Sequence, residues 1–186
     1  MSMCSMINEK NDAFYMKRAI ELAEYAASMG EVPVGAVIVH KPTGNIIGEG
    51  FNTRERDKSP LAHAELAALD AACKRLGGWR IPDSEMFVTL EPCPMCAGAL
   101  IHARIDRVIF GAYDKKSGSV CSVQKMFAFP YNHKPEVAEG FMEEECSELL
   151  RKFFRELRQR KKEEGLRWRK EMSKANERAA ETDLNI

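Results

Sequence analysis

Two short stretches of the chain carry the residue types for metal-assisted hydrolysis: His63-Ala64-Glu65, and Pro92-Cys93-Pro94-Met95-Cys96. One imidazole and two thiolates are the ligand set of a catalytic zinc, which keeps its fourth position for water, whereas a structural zinc is closed by four protein donors. A cation held in this way lowers the pKa of its bound water to about 7, so the pattern implies Zn2+ and water as nucleophile. Glu65 has a different task. Two residues from His63 at a helix start, it stands beside the ligand without sharing its coordination position. It can take a proton from the water, hand it to the substrate and then help protonate a departing amine.

The Cys93/Cys96 pair by itself fits a redox couple or a structural zinc equally well. The His-x-Glu element shifts that balance, and no fourth ligand sits at an obvious spacing. A structural zinc, with Glu65 as an ordinary acid in a first helical turn, is the plain alternative.

Several elements must bring these residues together. Phe14, Ala19, Ile20, Leu22, Ala23 and Ala26 recur at helical spacing, predicting a helix over 12–29 that covers one face of a sheet, with Gly30 as its stop. A buried strand over 34–39, a turn over 41–45 and a return strand over 46–51 read as a hairpin ending at Asn52. Polar residues 53–59 are expected as a loop. A helix over 62–76, closed by Gly77-Gly78, then opens on His63 and Glu65. A strand over 86–90 precedes a buried helix over 93–102 that begins at the two cysteines, and another strand covers 107–111. The positive ends of the two helices would converge on the metal and favour thiolate over thiol. A polar loop over 114–122, a strand near 136–139 and a long helix from about Glu143 complete the order. Strands alternating with helices imply an α/β fold, a three-layer α/β/α sandwich.

In the last helix Cys146, Leu149, Leu150, Phe153, Phe154 and Leu157 form an apolar stripe that fades after Arg158. One domain over 1–158 is expected, with 159–186 as a charged extension, helical or disordered. At 186 residues, 45% hydrophobic and 30% charged, the composition is that of a globular domain. Residues 1–10 have neither a basic start nor an apolar run, and no stretch approaches a membrane span, so a cytoplasmic protein is expected. Cys4, Cys73, Cys121 and Cys146 are scattered and read as free, mostly structural thiols. The net charge is zero, yet residues 151–170 hold ten Lys or Arg against Glu156, Glu163 and Glu164. Such a segment meets phosphates or is a solvated helix face.

His-x-Glu followed by Pro-Cys-x-x-Cys resembles the zinc-dependent deaminases of the cytidine deaminase superfamily. Within that superfamily the chain is similar to the bacterial tRNA adenosine deaminases from the first helix to about Arg158. The matching motifs are Glu31-Val32-Pro33-Val34-Gly35-Ala36-Val37, Ala62-His63-Ala64-Glu65, Thr89 to Ala99, and Ile101-His102-Ala103-Arg104-Ile105. Gly111-Ala112 with Asp114, Asn132-His133 and Phe153-Phe154-Arg155 complete the set. The resemblance implies a cytidine deaminase-like fold with about five strands in a mixed central sheet. It also implies conversion of adenosine to inosine at the first anticodon position of tRNA, with water attacking the purine C6 and ammonia leaving. By the same resemblance Asn52 hydrogen-bonds the flipped base, Ala64 offers its backbone amide and Val34 lines the pocket. His102, Asn132 and the Phe153 to Arg155 segment contact the splayed anticodon stem-loop, and the protein is a homodimer.

Each of these residues also has a plain reading: one of Phe153 and Phe154 as core, His102 as a helix C-cap, Asn132 and Asn52 as turn formers. The family often has Pro where this chain has Arg54, and Thr where it has Leu61. Two other functions share the residues: deamination of a free base such as guanine or cytosine, and a catalytically silent RNA-binding subunit with a structural zinc.

Overall fold

The computed structural model describes residues 9–183, which form five strands and five helices. Cys4 and the other residues of the 1–8 segment, like those after 183, lie outside the described residues. The chain divides into two compact units, Met1–Leu150 and Arg151–Ile186. This division at 150/151 and the boundary expected at 158 both fall inside one helix.

In the first unit, β1 (Gly35–His40), β2 (Asn45–Phe51), β3 (Ser84–Leu90), β4 (Arg107–Ala112) and β5 (Glu136–Ala138) make one sheet in the order β2-β1-β3-β4-β5. The β1/β2 and β1/β3 pairs are antiparallel, and β3/β4 and β4/β5 are parallel, so the sheet is mixed. Strand side chains alternate between two faces. Val37, Val39, Phe87 and Ile109 pack with Met16, Ala19 and Leu22 of α1 (Glu9–Ser28) and with Cys146. Ala36, Ile38, Met86, Val88, Val108 and Phe110 face the opposite way, toward α3 (Ala64–Leu76) and α4 (Pro94–Ala103). Burial on both faces explains why these strands read as nearly unbroken apolar runs. The result is the expected α/β/α sandwich.

Two readings are corrected. Phe14, placed by its spacing on the buried stripe of α1, is exposed, and Met16 is buried instead. The covered face runs through residues 16, 19, 23 and 26, and Phe14 lies off it. The polar segment after Asn52 is not all loop: Arg54–Asp57 form a short helix, α2. Its supports are the Thr53 hydroxyl, which donates to Asp57 at 2.6 Å, and a carboxylate 25 residues back, that of Glu31. Local patterning carries no trace of the second. A 3₁₀ turn over Met126–Ala128 is a further element that the residue pattern does not predict.

The sheet carries α3 unusually close to β2. A Cβ built on Gly50 would lie 2.2 Å from the Ala64 carbonyl oxygen and 2.6 Å from the Ala68 nitrogen; one on Gly48 would lie 2.2 Å from the Ala68 oxygen. Only hydrogen fits at these positions, so two glycines in one strand set the height of α3 over the sheet. They thereby set where His63, immediately before α3, can stand. Ala64, Ala68 and Ala72 present small side chains to the same seam and are fully buried.

In the second unit α5 (Glu143–Asp183), which begins in the first, continues as a helix with mostly exposed side chains. Gln159 donates to Glu163 and Arg167 pairs with Glu171, both at 3.0 Å and one helical turn apart. Phe153 is buried and Phe154 is exposed. Among the described residues no helix is long and apolar enough to cross a membrane.

Gly50→Ala forces the α3 backbone away from β2. We expect it to destabilise the fold by about 1–3 kcal/mol, the usual cost of overpacking, measured by urea unfolding. A change under a few tenths of a kcal/mol would show that α3 does not rest on that glycine.

Candidate active site

His63 and Cys93 each occupy the position just before a helix, ahead of α3 and α4 respectively, with extended backbone. Pro94 is the first residue of α4, where its fixed φ suits the first turn and its missing N–H is no loss. Cys96 follows within that turn. The His63 Nδ1 lies 3.8 Å from Cys93 Sγ and 3.6 Å from Cys96 Sγ. The three donor atoms all lie within 4.8 Å of one another. Two donors bound at 2.0–2.3 Å to one tetrahedral ion stand about 3.6 Å apart, so this set fits zinc.

The donor groups are electrostatically coupled to one another. The hydrogen bond from Cys96, followed by that from His63, outweighs burial and pulls the Cys93 thiol down to about 4. The same bond, seen from its other end, pushes Cys96 up, with burial and Glu65 adding to the rise. Without a cation, two adjacent sulfurs and a carboxylate share protons because they cannot all be charged. The Cys93 hydrogen bond raises His63, against burial. Cys121 and Cys146 are each pushed up to about 12, chiefly by burial, as befits unreactive thiols. They and Cys73 are free.

Glu65 is the second residue of α3 and is buried. Burial raises its carboxyl above the usual carboxylate range, and nearby Cys93 adds to the rise. An acid held beside the three donors is placed to exchange a proton with a reacting group.

The structure also brings three of the expected pocket residues to this end of α3. The Asn52 backbone N–H donates to the Val34 carbonyl at 3.0 Å, and the N–H of Thr53 donates to the Ala62 carbonyl, next to His63, at 3.0 Å. Asn52, Val34 and Ala64 are all buried. His102 and Asn132 belong elsewhere. His102 is exposed in the last turn of α4, away from the cysteines, and Arg104 rather than His102 ends that helix, in a left-handed conformation. Arg104 donates to Asn132 Oδ1 at 2.8 Å, tying Asn132 to the same end of α4. Phe153 and Arg155 lie in the second unit.

Glu91, two residues before Cys93, has a role that residue spacing does not reveal. Its buried carboxylate accepts from the N–H groups of Val120, Cys121 and Ser122 at 3.2, 2.7 and 2.8 Å, from that of Asp114 at 3.1 Å, and from the Ser122 hydroxyl. Ser119 N–H donates to the Pro92 carbonyl. Glu91 therefore gathers the loop over 114–122 against the cysteine segment. The signal available in the sequence is an acid inside an apolar stretch, which must find partners if buried.

The fold and this donor set define a zinc-dependent hydrolytic deaminase. Residues 9–112 match the family described as the cytidine and deoxycytidylate deaminase zinc-binding region. A tRNA-specific adenosine deaminase of Bacillus subtilis is 47% identical over 152 residues, covering 81% of this chain and 93% of that protein. One from Haemophilus influenzae is 45% identical over 157 residues, covering 84% and 90%. A solved structure from work on A-to-I editing by tRNA:A34 deaminases superposes with a TM-score of 0.71 at 40% identity, over 74% of this chain and 99% of that one. The chain belongs to the cytidine and deoxycytidylate deaminase family.

Two outcomes follow from the geometry. Replacing His63, Cys93 or Cys96 by Ala should lower bound zinc well below one ion per chain, while Glu65→Ala should leave it near one; atomic absorption of purified protein decides. Burial disfavours the charged Glu91 carboxylate, but its hydrogen bonds, led by Ser122, prevail and hold its pKa below the usual range. Its contribution is present above that range and is lost as pH falls through the lowered value. Glu91→Gln should cost about 2 kcal/mol in unfolding at pH 7, with the gap to wild type narrowing in acid.

Proposed function

We propose that the protein converts adenosine to inosine at the wobble, first anticodon position of tRNA, consuming water and releasing ammonia. The observation that carries this is the His63, Cys93 and Cys96 donor set with buried Glu65 beside it, in a chain similar over four-fifths of its length to tRNA-specific adenosine deaminases. When bound, Zn2+ lowers the pKa of water and polarises it for attack.

The protein's own groups do the rest. The imidazole of His63 and the sulfurs of Cys93 and Cys96 hold the ion. The Glu65 carboxylate takes a proton from the attacking water and passes it to a purine ring nitrogen; it then takes the second proton from the hydroxyl formed on C6 and delivers it to the amine, which leaves as ammonia as the C6 carbonyl forms. Asn52 and the Ala64 amide orient the base, and Val34 closes the pocket. A purine in an anticodon loop must leave its stack to be attacked, and splayed loop bases are held on polar and aromatic groups. His102, Asn132, Phe153 and Arg155 are assigned to that work. The deaminase domain spans residues 1–158, and residues 159–186 are a charged extension of it. The enzyme works in the cytoplasm as a homodimer.

The test uses a zinc-loaded preparation and an anticodon stem-loop RNA with adenosine in the wobble position. Wild type should form inosine, and Glu65→Ala should be slower by roughly 10²–10⁴-fold, the usual contribution of a positioned acid-base group. No inosine from wild type, or full activity in the variant, would overturn the reading. Neutralising Arg151, Lys152 and Arg155 together should flatten the dependence of log binding on log salt by about 2–3, near one for each phosphate that is no longer neutralised. An unchanged slope would remove the basic face of α5 from the RNA interface.

A further inference from the structure

Among the buried acids of the described residues, Glu31 has no part in the chemistry above. Glu31 is 1% exposed and follows α1, to which it is tied by its backbone N–H donating to the Ala26 carbonyl at 3.0 Å. Its carboxylate gathers three N–H donors from one distant segment. Asn52 Nδ2 donates to Oε2 at 3.3 Å, the Glu55 backbone N–H to the same oxygen at 3.2 Å, and the Arg56 backbone N–H to Oε1 at 2.7 Å. The last two lie in the first turn of α2.

The chemistry of the pair fixes its orientation. A carboxylate can only accept, so the Asn52 atom facing Glu31 is the amide nitrogen; turning the amide over would set oxygen against oxygen. The Asn52 backbone is already fixed by its bond to Val34, and Thr53 by its bond to Ala62. Rotation of the side-chain amide is the freedom that remains, and Glu31 removes it. Asn52 is left with Oδ1 as an acceptor and one N–H as a donor. Burial makes the choice firm, because a buried polar group without its partner costs more than the bond itself contributes.

We propose that Glu31 is a positioning residue for the base: through Asn52 Nδ2 it fixes which amide atoms the pocket presents to the flipped purine, and through the Glu55 and Arg56 N–H groups it holds the rim segment that carries them. This rests on Asn52 being a base contact, as assigned above. Nothing in the local sequence shows it, since Glu31 and Asn52 are 21 residues apart and on different elements.

The experiment compares zinc-loaded wild type, Glu31→Gln, Asn52→Ala and the double variant on the anticodon stem-loop, with zinc content and melting temperature recorded for each. Glu31→Gln keeps size and shape but lets the Asn52 amide turn over. Its kcat/KM should fall about tenfold, as for loss of one charge-assisted hydrogen bond, with bound zinc unchanged. In the Asn52→Ala background the same substitution should cost clearly less, because the share of its effect that acts through Asn52 is already gone. As a readout independent of turnover, one Asn52 side-chain N–H should be protected from solvent exchange in wild type by NMR, and neither in Glu31→Gln. Equal losses from Glu31→Gln with and without Asn52, or an unprotected wild-type amide, would overturn the proposal while leaving the deaminase reading intact. Absence of inosine from wild type would instead remove that reading; the NMR result would still decide whether Glu31 fixes Asn52.

Discussion

Everything at this site depends on a steric constraint: two helices must begin so close together that one ring nitrogen and two sulfurs can share an ion. The sheet meets it in two different ways. For α3 the means is missing side chains, since Gly48 and Gly50 let the helix backbone sit against β2 where any Cβ would collide. For α4 it is the parallel β3/β4 pair, whose crossover starts with Pro94 and places Cys93 and Cys96 on a single first turn. Helix starts also bring partial positive charge to a place where thiolates must form.

A second theme is the use of buried carboxylates as anchors. Glu31 and Glu91 lie one on each side of His63 in sequence, and each collects backbone N–H groups from a segment outside the sheet. A loop near an active site has to be exact in position yet cannot enter the sheet. An acceptor with two oxygens meets both needs, satisfying several donors from one fixed point. Glu65 differs in kind. Burial there raises the proton affinity, which suits the proton transfers proposed for it.

Much of this is legible in the residues themselves. The metal donors and Glu65 stand out because their chemistry is tied to short spacings, and the strands because burial on two faces leaves continuous apolar runs. The order of the elements follows, with boundaries off by a residue or two where Pro94 and Ala64, rather than Cys93 and Ala62, start helices. What stays hidden is long-range. The short helix α2 exists because Glu31 and Thr53 support it, and Phe14 is exposed because the sheet selects a neighbouring face of α1; neither choice is written in local propensity. The resemblance to tRNA adenosine deaminases names pocket residues that spacing alone would leave as turn formers, but it does not show that Glu31 holds Asn52.

In the proposed deaminase, one imidazole and two thiolates hold a zinc ion whose remaining position belongs to solvent. X-ray absorption at the zinc edge, on the purified full chain at neutral pH, tests this most directly. Two sulfur donors and two light-atom donors are expected, only one of the latter from imidazole. Four protein donors around the ion, or protein that binds no zinc, would contradict this coordination.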